Sequence, residues 1–89
     1  MRSSAPANLS APFRDGSRSS DRYQQFGLNV VYYRKKKRLS QTQLAELVDI
    51  YRTYISAIEP GKVGVSFDVL FRLSDALEVS TKQLFEFRE

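Results

Sequence analysis

From Tyr23 onward the apolar positions recur at helical spacing, and the interruptions are polar or turn-forming residues. Phe26, Val30 and Tyr33 predict a first helix over about residues 23–37, running into the basic stretch RKKKR at 34–38. Ser40 reads as an N-cap, and Gln43 three residues on completes a capping box. The second helix, about 41–48, turns Leu44, Leu47 and Val48 inward with Ala45 beside them. Asp49 falls where this helix must stop, in a left-handed position that Gly would occupy at lower cost. A third helix begins by Arg52, carries Ile55 and Ile58 inward, and ends at Pro60-Gly61. Ser66 caps a fourth, about 67–78, with Leu70, Leu73, Ala76 and Leu77 on its buried side. Ser80 and Gln83 form a second capping box, opening a short fifth helix with Leu84, Phe85 and Phe87. No segment reads as a strand; the expected fold is all-α.

The second and third helices are separated by too few residues to lie antiparallel, so they must cross steeply. Ala45 is placed for the close approach, and Leu44, Val48, Ile50 and Ile55 fill the angle. One side of the third helix is then buried and the other projects, presenting Arg52, Thr53, Ser56 and Ala57. An ordinary solvated face more often carries Glu and Lys. Short and hydrogen-bonding side chains suit a major groove instead, where Arg pairs with guanine O6 and N7 and Thr or Ala meets a thymine methyl.

Composition narrows the chemistry. Eighty-nine residues make one small domain. With neither Cys nor His, a disulfide, a thiolate metal site and the commonest general base are all absent, so no catalytic or metal site and no cofactor is expected. Asp68, Asp75 and Glu78 read as a solvated side of the fourth helix. No apolar run approaches a membrane span and no secretory h-region opens the chain, so a cytoplasmic protein is expected. Residues 34–62 carry seven basic and three acidic groups, whereas residues 63–89 carry three basic and five acidic. A chain basic at one end and acidic at the other fits an oriented encounter with a polyanion. Residues 1–22, rich in Ser, Ala and Pro, read as a disordered N-terminal arm ahead of a domain at 23–89. Arg2, Arg14, Arg18 and Arg22 would let that arm follow a phosphate backbone; the same composition also fits a passive tail.

The segments FGLNVVYYRKKKRLSQTQLAELVDIYRTYISAIEPGK and LFRLSDALEVSTKQLF resemble the phage repressor and Cro-like (XRE) helix-turn-helix regulators. Leu39-Ser40-Gln41, Leu44-Ala45, Ile55-Ser56, Ile58-Glu59 and Gly61 fall in that family's register. The resemblance implies a compact five-helix, lambda-repressor-like domain whose second and third helices form the helix-turn-helix, the third reading bases of a double-stranded DNA operator. It implies that Gln41 binds phosphate, that Arg52, Thr53, Ser56 and Ala57 face base edges, and that Arg34 and Glu59 form a salt bridge behind the motif. It also implies a homodimer joined near the C-terminal helix, where Phe85 and Phe87 lie.

Three departures stand out. Asp49 replaces the usual turn Gly. Tyr51 takes the cap position of the third helix, where Ser or Thr is commoner, leaving its phenol to donate to a phosphate. Pro60 removes one backbone N–H from the following loop. Lys62, Lys37 and Arg38 complete the expected phosphate contacts, although the basic run also fits a solvated helix end. No small-molecule effector is evident. A rival reading keeps the fold but makes it a protein-interaction module, antitoxin-like or coactivator-like, working through the Phe pair and the acidic C-terminal part.

Overall fold

A computed structural model describes residues 17–87 as five helices: α1 (Ser17–Lys36), α2 (Gln41–Val48), α3 (Arg52–Ile58), α4 (Phe67–Leu77) and α5 (Thr81–Leu84). Among the described residues there is no strand. No described helix is long and apolar enough to cross a membrane, and among the described residues no group of three or more acidic side chains is placed to hold a metal ion.

The first helix starts at Ser17, earlier than the apolar pattern predicts. The reason is that the segment before Phe26 carries no apolar repeat: residues 21–24 are exposed, and burial begins only at Phe26. A polar turn continued from a packed helix leaves no apolar period to detect. The rest of the expected arm, residues 1–16, lies outside the described residues.

Leu44, Ile55, Ile58, Leu73, Leu84, Val30 and Val48 are fully buried and form the centre of the core, with Phe26, Tyr33, Ala45, Leu70 and Leu77 around them. Leu47 departs from the expected pattern, at 60 % exposure. The buried stripe of α2 is Leu44, Ala45 and Val48, and Leu47 lies on the flank away from Ala45. Turning α2 to bring Ala45 against the neighbouring helices rolls Leu47 out to solvent.

Chain reversals are made by one device repeated. Arg38, Asp49, Gly61 and Glu78 each take a left-handed backbone, with φ of 60°, 59°, 84° and 58°. After each, the chain bonds back in a Schellman pattern: Leu39 N–H to Arg34 O, Ile50 N–H to Ala45 O, Lys62 N–H to Ala57 O and Val79 N–H to Ser74 O, all at 3.0 Å. Only one of the four positions is glycine. Ser40 and Ser80 open α2 and α5 with complete capping boxes, and Ser66 caps α4 through Val69 N–H.

Two glycines bring α1 onto the segment that ends α3. A Cβ on Gly27 would stand 2.2 Å from the Glu59 carbonyl oxygen and 2.4 Å from that of Ile58. One on Gly61 would meet Gln24 at 2.6 Å. These close approaches seat α1 across the end of α3 and so set which side of α3 faces out.

Candidate nucleic-acid interface

The turn between α2 and α3 leaves Arg52 and Thr53 exposed, Ser56 and Ala57 half-buried, and Ile55 and Ile58 in the core. The outward surface of α3 is therefore polar and short, led by one guanidinium. Ser56 Oγ donates to the Thr53 carbonyl at 3.0 Å, which spends its proton and leaves the oxygen as an acceptor. Tyr51 caps α3 without a side-chain hydrogen bond and is 84 % exposed, so its phenol points away from the domain.

Behind this surface lies a continuous polar network. Glu59 is buried, 7 % exposed, and takes three charge-assisted or polar hydrogen bonds. Arg34 Nε donates to Glu59 Oε2 at 2.6 Å and Arg34 Nη2 to Oε1 at 3.1 Å. Gln41 Nε2 donates to the same Oε1 at 2.8 Å. Arg34 Nη1 also donates to the Leu39 carbonyl at 2.9 Å, tying the entry of α2 to α1. Gln41 Oε1 in turn accepts from Arg52 Nη1 at 3.4 Å. The chain Arg34–Glu59–Gln41–Arg52 thus runs from the core to the tip of α3. A bidentate Arg–carboxylate pair fixes both groups in geometry as well as energy.

Gln41 is the hinge of this arrangement. It is the first residue of α2, where backbone N–H groups have no intrahelical partner and the helix dipole favours an anion. Its side chain is held internally at both ends, yet the amide nitrogen keeps a second hydrogen.

Other basic residues separate into two groups. Arg38 and Lys62 are exposed; Lys62 follows directly after the left-handed Gly61, and its backbone closes on Ala57. Lys37 behaves differently. Its Nζ donates to Glu78 Oε1 at 2.7 Å, an exposed pair that joins the end of α1 to the end of α4. That hydrogen bond and the lysine's charge hold the Glu78 carboxyl below its ordinary value of 4.5. Lys37 is therefore engaged with a carboxylate at the end of α4, whereas among the described residues Arg38 and Lys62 carry no such ion pair.

Several positioning residues left no mark in the sequence pattern. Arg72 Nη1 donates to the Val48 carbonyl at 3.3 Å, closing the end of α2, and pairs with Asp68 at 3.0 Å. The Tyr54 hydroxyl donates to the Gly64 carbonyl at 3.3 Å, pinning the loop after α3. In each case a long side chain that reads as surface reaches a backbone carbonyl brought near only by folding.

At the opposite end, Phe85 and Phe87 remain about half exposed, at 49 % and 48 %. The Phe85 ring centroid lies 5.2 Å from that of Phe26. Phe67 and Phe71, spaced i,i+4 on α4, stack at 6.3 Å and are exposed as well. Phe67, Phe85 and Phe87 line a groove of about 480 Å3 together with Tyr23, Phe26, Val65 and Leu70, with Arg22 at its edge.

Comparison with known proteins agrees with this geometry. The family model described as "Helix-turn-helix" matches residues 31–84. The control protein C.BamHI of Bacillus amyloliquefaciens is 44 % identical over 63 residues, 70 % of this chain and 78 % of the relative. The control protein C.SmaI of Serratia marcescens is 41 % identical over 56 residues, 63 % of this chain and 67 % of the relative. The crystal structure of the restriction-modification controller protein C.AhdI from Aeromonas hydrophila superposes with a TM-score of 0.69 at 33 % identity, covering 71 % of this chain and 96 % of that one. The turn, the polar outer surface of α3 and the matched region together establish that this chain belongs to the helix-turn-helix family of DNA-binding transcriptional regulators.

Proposed function

We propose that the chain regulates the genes of a restriction–modification system, acting in the cytoplasm as a homodimer on a two-fold operator. In this reading α3 enters the major groove. Arg52 pairs with guanine, Thr53 and Ala57 meet thymine methyls, and Ser56 accepts from a base donor. Gln41, through its backbone N–H and remaining amide hydrogen, and Tyr51, Lys62 and Arg38 bind phosphates. Half-sites then lie about one helical turn, ~34 Å, apart.

The observation that carries this reading is the Glu59–Gln41–Arg52 chain. It anchors the one guanidinium on the outer side of α3 to a buried carboxylate, so a base-reading group is held in place before binding. The names of the relatives support the choice of regulated genes, since C.AhdI is a restriction-modification controller. Selection of bound sites from a random duplex pool at stated salt tests it. A palindromic consensus with two half-sites one turn apart is the expected result; recovery of no consensus would overturn it.

A second reading, a protein-interaction module with secondary DNA contact, draws on the exposed aromatic surface around Phe85 and Phe87. A Phe87→Ser variant separates the two. Under the dimer reading it becomes monomeric and loses affinity for the two-fold operator while keeping affinity for a half-site. A variant unchanged in assembly and operator binding would release that surface from the dimer.

A further inference from the structure

Asn29 is a buried polar side chain, 2 % exposed, in the middle of α1. Its Nδ2 donates to two backbone carbonyls more than fifty residues away, Leu84 O at 2.9 Å and Glu86 O at 2.6 Å. Those carbonyls flank Phe85, and the second directly precedes Phe87. A four-residue helix such as α5 has no internal partners for its last carbonyls and is not stable on its own. A neutral amide supplies two hydrogens in a fork and brings no charge into the core, which suits it to hold both carbonyls at once.

We propose that Asn29 is the positioning residue of the dimer face, latching the segment after α5 so that Phe85 and Phe87 are presented to a second copy as a fixed pair. This rests on the dimer reading above. The occupant is a second copy because the face complements itself. The groove is apolar, lined by Phe67, Leu70, Phe85 and Phe87, with Arg22 at its edge. Glu86, between the two aromatic residues in sequence, is exposed. In a two-fold contact the same patch serves both copies, so a contact of Arg22 on one copy with Glu86 of the other would be made twice. With the latch in place the two rings are ordered before association; without it, ordering them opposes binding.

The test uses the full chain with Asn29→Leu and Phe87→Ser, measuring the dimer constant by sedimentation equilibrium and the affinity for a duplex carrying one selected half-site. Asn29→Leu is expected to raise the dimer dissociation constant by about tenfold or more while half-site affinity stays within about twofold of wild type. A defect in the helix-turn-helix itself would move both readouts. If Asn29→Leu dimerises like wild type while Phe87→Ser does not, the latch is overturned and the dimer face stands. If neither variant dissociates, the face falls and the latch with it. Should Asn29→Leu fail to fold, side-chain amide exchange in the Phe87→Ser monomer decides. Asn29 protons protected far longer than those of exposed Gln24 support the latch, and equally fast exchange overturns it.

Discussion

Gln41 lies between a buried carboxylate and the tip of α3: its amide nitrogen is 2.8 Å from Glu59 Oε1, and its amide oxygen is 3.4 Å from Arg52 Nη1. Stability and readout therefore meet at the same side chains, and they separate on substitution according to which end of the chain is cut.

Cutting the inner end destabilises the fold. Arg34 and Glu59 have side chains only 11 % and 6 % exposed. Removing one charge strands the other, at a cost of about 3–5 kcal/mol, whereas replacing both with apolar residues of similar size avoids that penalty. Urea denaturation of Glu59→Leu, Arg34→Met and the double variant checks this. The double variant is expected to be more stable than either single one. Its Arg52 is less well anchored, so its site preference broadens while the fold persists.

The basic residues differ in their effect on salt dependence. If Lys62 binds phosphate as proposed, Lys62→Ala is expected to lower the slope of log K against log salt by about 0.9. Lys37→Ala is expected to lower that slope by less, because its ammonium already pairs with Glu78. The same pair has a pH signature. The Glu78 carboxyl is depressed in the folded protein, so the pair's contribution is present above the ordinary value of 4.5 and is lost as pH falls through the lower folded value. Carboxyl chemical shifts followed across that range, with and without Lys37→Met, check both statements: the substitution moves the Glu78 midpoint upward.

The left-handed turns invite stabilisation. Asp tolerates this backbone better than Arg or Glu does, so Arg38→Gly is expected to raise stability by about 1 kcal/mol and Asp49→Gly by less. Glu78→Gly gains the same relief but forfeits the Lys37 contact. The reverse holds at Gly27, where a Cβ would fall 2.2 Å from the Glu59 carbonyl oxygen. Gly27→Ala should therefore lower stability despite its better helix propensity. Denaturant midpoints across this series test the ordering.

Much of the architecture was legible because it rests on local signals. The capping boxes at Ser40 and Ser80, the cap at Ser66 and the apolar period of α4 each fix a boundary from nearby residues. What escaped the pattern depends on long-range placement. Leu47 reads as inward by spacing, yet α2 is rolled so that Ala45 takes the buried flank. The segment of α1 before Phe26 carries no apolar repeat. Arg72 and Asn29 are polar residues whose partners are carbonyls 24 and at least 55 residues away. Phe67 and Phe71 sit beside the buried stripe of α4 and turn outward together. The surface of α3 was legible for a different reason: short side chains at 53, 56 and 57 are unusual on a solvated helix face, whatever the tertiary contacts.

The decisive measurement is a base-pair scan of the selected operator, binding wild type and Arg52→Ala at one fixed salt concentration. Arg52 should account for discrimination at one symmetry-related pair of positions, so its removal costs about 1–3 kcal/mol on the consensus and flattens preference there alone. Preferences at the other positions should persist. A uniform loss across every substituted operator would contradict the account, placing Arg52 on the backbone and removing base readout from the outer side of α3.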